Sequence, residues 1–100
     1  MATCVQLLYF DGCPSWQLAR QRVLAAIDAL GMQIPVEYVE VTTMEEAARW
    51  GFRGSPTLLV DGEDPWSGGG EPVALACRVY TTPTGMQGSP SLADITAALG

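Results

Sequence analysis

The run Leu7-Leu8-Tyr9-Phe10-Asp11-Gly12-Cys13-Pro14-Ser15-Trp16 constrains the fold of this chain more than any other stretch. Cys4 to Phe10 is apolar and aromatic apart from Gln6, is too short for a stable helix, and is closed by the turn-forming pair Asp11-Gly12. Such a segment reads as a strand buried on both faces. Pro14 then suits a first helical turn, because the N–H it lacks would have had no partner there. Trp16, Ala19, Val23, Ile27 and Leu30 recur at helical spacing, while Gln17, Arg20, Gln21 and Asp28 fall mostly off that stripe. Gly31 is a natural stop. The spacing predicts a helix over 14–30 and puts Cys13 at a strand-to-helix junction.

Further along, Val36-Glu37-Tyr38-Val39-Glu40-Val41 alternates apolar and polar residues, the pattern of a strand near a sheet edge. Thr42 or Thr43 can cap a short helix from Met44 to Trp50, with Glu45 and Glu46 favouring the positive end of its dipole. Thr57 to Val60 is a β-rich strand closed by Asp61-Gly62. A loop over 63–72 follows, where Trp66 is either an exposed aromatic on a flap or packed against the sheet. A strand around Ala76-Cys77-Arg78-Val79-Tyr80 comes next, then a final helix capped by Ser89 or Ser91 with Leu92, Ile95 and Leu99 on one face. The expected order is β-α-β-α-β-β-α in a single domain over 1–100. Helical crossovers make the first three strands mostly parallel, and the last two form an antiparallel pair.

Composition narrows the functions open to such a domain. Eleven acidic residues face five basic ones, all arginine, for a net charge of −6. No basic patch exists to neutralise phosphates, so neither nucleic acid nor an anionic membrane is an expected partner. The chain has no histidine, which removes Cys-His dyads and histidine metal ligands, and no metal site is expected. Three cysteines (Cys4, Cys13, Cys77) do not read as a secreted disulfide framework, and no signal peptide or membrane span is visible. The expected setting is the cytoplasm.

Elementary electrostatics favours thiolate over thiol at Cys13, because the first turn of a helix presents unpaired N–H groups and the positive end of the dipole. Cysteines so placed can have pKa values lowered to about 3.5–7.5 from about 8.5. Asp11, and the lack of any lysine or histidine, oppose this, so the expected lowering is not extreme. An inert, packed thiol is the alternative. Ser55-Pro56 opens the third strand as a rigid turn, and Arg53 is the one cation close to it in sequence. Arg53 is read either as a contact for a carboxylate or as a solvated surface residue.

The element order, with a cysteine at the first strand-to-helix junction and a proline opening the third strand, resembles the thioredoxin superfamily. Tyr9-Phe10-Asp11-Gly12-Cys13-Pro14 is similar to its glutaredoxin-type junction, and Gly51-Phe52-Arg53-Gly54-Ser55-Pro56-Thr57-Leu58-Leu59-Val60 to its cis-proline segment. More narrowly, the chain resembles short bacterial thioredoxin-like proteins with Gly-Cys-Pro, Gly-Ser-Pro-Thr and Cys-Arg-Val-Tyr motifs, some of which carry the name alkylmercury lyase. The resemblance implies a thioredoxin-like α/β fold with a four-stranded mixed sheet. It also implies a cis Pro56 facing Cys13 and a Ser55 backbone that pairs with bound peptide or thiol.

Three departures limit what carries over. Trp16 stands where the second active cysteine belongs, the buried acid falls near Leu7, and the basic residue before the motif is absent. The expected function is a monothiol redox protein in which Cys13 forms mixed disulfides with a thiol- or disulfide-containing protein or a small thiol. Its groove is expected from Pro14, Trp16, Arg53, Ser55 and Pro56, with Trp16 packed over the site. No cofactor is expected beyond a low-molecular-weight thiol such as glutathione. Cys77 is a possible resolving thiol, but it reads first, like Cys4, as a buried structural cysteine, because an antiparallel fourth strand would carry it toward the far end of the sheet. There a Cα separation above about 7 Å would forbid the bond. The alternatives are a redox-silent binding module that kept the groove and, less so, a mercury-handling thiol protein.

Overall fold

The computed structural model describes residues 2–66 and 72–100. It is a mixed α/β structure whose elements are β1 (Val5–Tyr9), α1 (Ser15–Ala29), β2 (Val36–Glu40), α2 (Met44–Trp50), β3 (Arg53–Ser55), β4 (Thr57–Val60), β5 (Ala74–Cys77), β6 (Tyr80–Thr82), β7 (Gly85–Gln87) and α3 (Leu92–Leu99). The expected loop over 63–72 falls partly at 67–71, outside the described residues.

The main sheet has three strands in the order β2-β1-β4. The apolar run of β1 takes its centre and the alternating strand β2 its edge, as their sequence patterns require. Side chains of β1 and β4 alternate between two cores. Val5, Leu7 and Leu58 join Ala19, Val23 and Ala26 of α1 and Ile95 and Leu99 of α3. On the other face, Leu8 and Leu59 join Val41, Phe52 and Ala47 of α2. Phe52 is the largest fully buried side chain. Local signals also close the helices as expected. The Thr43 hydroxyl accepts from the Glu46 N–H at 3.1 Å, and the Ser91 hydroxyl accepts from the Asp94 N–H at 3.1 Å. Gly51 ends α2 with φ 64°.

Topology departs from expectation in two places. β2 runs parallel to β1, but β4 runs antiparallel to it, with Leu8 opposite Thr57 and Val5 opposite Val60. The seven-residue α2 rises only about 10 Å, too little to return the chain along the sheet before β4 begins. Instead β3 stays at the end where β1 finishes, tied by a Phe10 N–H to Ser55 Oγ hydrogen bond of 3.1 Å, and β4 enters from there.

The second departure concerns the fourth strand. Ala74–Cys77 does not join the main sheet: it pairs with β3, in parallel, as a separate two-stranded sheet. Arg78, Val79 and Tyr80, expected in the same strand, lie beyond it, and Tyr80 begins a hairpin of β6 and β7.

Candidate functional site

The site is assembled where β1 ends, α1 begins and β3 meets β4. A turn closed by the Cys13 N–H on the Phe10 carbonyl (3.0 Å) brings Cys13 to the foot of α1. The Phe10 ring closes over Gly12, where a Cβ would lie 2.7 Å from the ring tip and push it aside. Pro14 is the N-cap of α1 and supplies no side-chain cap, so the first-turn N–H groups owe nothing to it. The Ser55-Pro56 bond is cis. Cys13 is fully buried, and its thiol lies 3.6 Å from the Ser55 carbonyl oxygen, to which it donates. Ser55 therefore holds the junction at two points, accepting the Phe10 N–H on its hydroxyl and the Cys13 thiol on its carbonyl.

The expected separation of Cys77 from this point is overturned. Arg53 pairs with Ala74 and Ser55 with Cys77, so two residue steps on β3 match three on β5. The extra residue is a bulge, which advances Cys77 to the level of Ser55. The Arg78 N–H then donates to the same Ser55 carbonyl at 2.9 Å. Gly54, at φ 115°, permits this approach: a Cβ there would come within 2.9 Å of the Arg78 Cβ and 3.2 Å of the Ala76 carbonyl. The expectation failed because it assigned the strand to the wrong partner and the wrong direction. Neither Cys77 nor Cys4 is the buried structural cysteine expected: Cys4 lies just before β1 and Cys77 at the end of β5, both exposed, whereas Cys13 is buried. The neighbouring Cys13 thiol, and after it partial burial, raise the Cys77 thiol above its ordinary value.

Behind Pro56 lies a polar cluster that the sequence reading did not assign to the site. The Tyr80 hydroxyl donates to the Pro56 carbonyl. Burial pushes that hydroxyl well above the usual tyrosine range, only partly offset by the Arg78 guanidinium, so it stays a neutral donor. Arg78 stacks over the Tyr80 ring at 4.6 Å and forms a 2.6 Å ion pair with Asp64, whose side chain is 4% exposed. Arg78 also donates to Thr57 Oγ1 at 3.4 Å, and the Trp66 ring meets Tyr80 edge-on at 6.0 Å. The Cys-Arg-Val-Tyr motif carried this signal, since an arginine and a tyrosine two apart beside a cis-proline segment are well suited to bond its backbone.

The remaining expected residues divide. Ser55 and Pro56 are buried beside Cys13. Trp16 is half-buried and stacks on Tyr9, with ring centroids 4.2 Å apart, so the first turn of α1 carries an aromatic pair and no second thiol. Trp66 packs against the core rather than standing free. Arg53 points elsewhere: its guanidinium donates to the Gly51 carbonyl at 3.2 Å and lines a cleft of about 400 Å³ with Trp66, Arg78, Val79, Tyr80 and Thr81. That lining includes neither Cys13 nor Pro56. Among the described residues there is no group of three or more His, Cys, Asp or Glu placed to hold a metal, and no helix is long and apolar enough to cross a membrane. Comparison with protein-family models, curated proteins and solved structures gives no match.

Proposed function

We propose that this chain is a thioredoxin-like, thiol-based redox protein whose working nucleophile is Cys13. The observation that carries the reading is the Cys13 thiol 3.6 Å from the carbonyl that precedes a cis proline, at the foot of a fifteen-residue helix. The Ser55 carbonyl and the start of α1 fix the position of the sulfur. Thiol–disulfide exchange then proceeds by attack of the Cys13 thiolate on a disulfide sulfur, with the leaving thiolate taking up a proton. Trp16 cannot resolve the product, so the second thiol comes from a small molecule or from elsewhere in the chain.

A second reading, the redox-silent binding module, is favoured by the complete burial of Cys13. A disulfide-reductase assay on the wild type and on Cys13→Ser separates the two. Turnover that falls to background in Cys13→Ser is expected. Equal rates in both proteins, or none in either, would contradict the redox reading.

A further inference from the structure

Cys13 has a neighbour able to complete its chemistry, and the two thiols differ in access. Ser55 is the common neighbour: its carbonyl accepts the Cys13 thiol at 3.6 Å and the Arg78 N–H at 2.9 Å, and its Cα is the register partner of Cys77. Paired strands lie about 4.8 Å apart, so the two cysteines occupy adjacent places at one end of β3. Cys13 is 0% exposed, whereas Cys77 is open to solvent and adjoins, through Arg78, the cleft of about 400 Å³. That volume suits a small molecule. Cys4 is not a competitor, since it precedes β1 and lies a five-residue strand, about 17 Å, from the end that leads to Cys13.

We propose that Cys13 and Cys77 form a reversible dithiol–disulfide pair, in which exposed Cys77 meets a small-molecule disulfide and buried Cys13 resolves the adduct. The proposal rests on Cys13 being the working thiol and assigns the bond that it attacks. In the first step the Cys77 thiolate attacks one sulfur of R–S–S–R. A Cys77–S–S–R bond forms, the R–S–S–R bond breaks, and the departing thiolate takes up the proton that Cys77 lost. In the second step the Cys13 thiolate attacks the Cys77 sulfur. The Cys13–Cys77 bond forms, the bond to R breaks, and the second thiolate leaves with the proton from Cys13. Two protein thiols are oxidised by two electrons, and one disulfide is reduced to two RSH.

Oxidised glutathione serves as the probe, in a Cys4→Ser background that removes the other exposed thiol. Intact mass and peptide mapping should find a Cys13–Cys77 link in the native protein. Rapid acid quenching should catch the transient adduct on Cys77, not on Cys13. With Cys13→Ser, one glutathione should persist on Cys77. With Cys77→Ser, native Cys13 should be modified about tenfold more slowly or less, for want of access. Because the quench experiment uses both native thiols, it decides the order even if a variant folds poorly. An adduct first seen on Cys13, or a native protein that keeps its Cys77 adduct without an internal bond, would overturn the proposal. Full exchange in Cys77→Ser would also overturn it while leaving Cys13 as the working thiol. Full exchange in Cys13→Ser would instead remove that underlying reading.

Discussion

The sheet β2-β1-β4 and the segment from Val73 to Ser89 are held by different forces. In the sheet, Leu7, Leu8 and Leu58 are at most 1% exposed and are fixed by apolar burial on two faces. In the later segment Ala76, Cys77, Val79 and Met86 are exposed. Val73 and Leu75 pack against the Phe52 core and Tyr80 is buried, and directed contacts complete the fastening: Arg78 to Asp64, Tyr80 to Pro56, and the Arg78 N–H to Ser55. The difference bears on function. A burial-driven sheet holds Cys13 and its Ser55 contact firmly, whereas a polar clasp brings Cys77 alongside and can be altered without dissolving the core.

The contrast breaks most visibly under a core truncation. Phe52→Ala should cost about 4 kcal/mol, with loss of cooperative unfolding well before any local effect on the thiols is read. Chemical denaturation measures it. Arg78→Ala should cost about 3 kcal/mol, because it strands the buried Asp64 carboxylate. Its local signature is earlier hydrogen exchange over 74–82 than over β1, and Arg78→Met with Asp64→Leu should recover most of the loss. Equal exchange changes in both regions would show that the clasp is not local. Tyr80→Phe removes one hydrogen bond to the Pro56 carbonyl and should cost about 1 kcal/mol, measurable as a small fall in denaturation midpoint.

The finest test is pH dependence of the thiol that the clasp carries. A raised acid ionises later, so native Cys77 should reach half-maximal alkylation at a pH above that of an ordinary thiol. Cys13→Ala removes the neighbouring thiol that raises it, and should move that midpoint down. Residue-resolved labelling by mass spectrometry reads both, and an unmoved midpoint would place the cause outside Cys13.

How much of this was legible in the sequence follows the same division. β1, α1, α2, β4 and α3 are short-range patterns, and Pro14, Gly31, Thr43 and Ser91 mark the helix ends within a residue or two. The cis bond at Pro56 and its nearness to Cys13 are expected from the family resemblance alone; the residues themselves indicate only a rigid turn. The direction of β4 was not legible, because it depends on α2 being too short to cross the sheet. Nor was the partner of β5. A three-residue strand, a bulge and the close approach at Gly54 leave no periodicity to read. The hairpin of β6 and β7 had a weak signal in Tyr80-Thr81-Thr82-Pro83-Thr84-Gly85, where β-prone residues precede a Pro-Thr-Gly turn. Asp64 gave none: only folding brings it to Arg78, fourteen residues away.

The central claim is that Cys13 does its chemistry at the Ser55 carbonyl with Cys77 beside it. Cysteine Cβ chemical shifts, followed by NMR through a titration from reducing to oxidising glutathione buffer, test it most directly, because they separate thiol from disulfide at each residue. The account predicts that Cys13 and Cys77 convert together in a single step while Cys4 follows a separate course. A Cys13 signal that stays in the thiol range throughout, or that converts in step with Cys4, would contradict it.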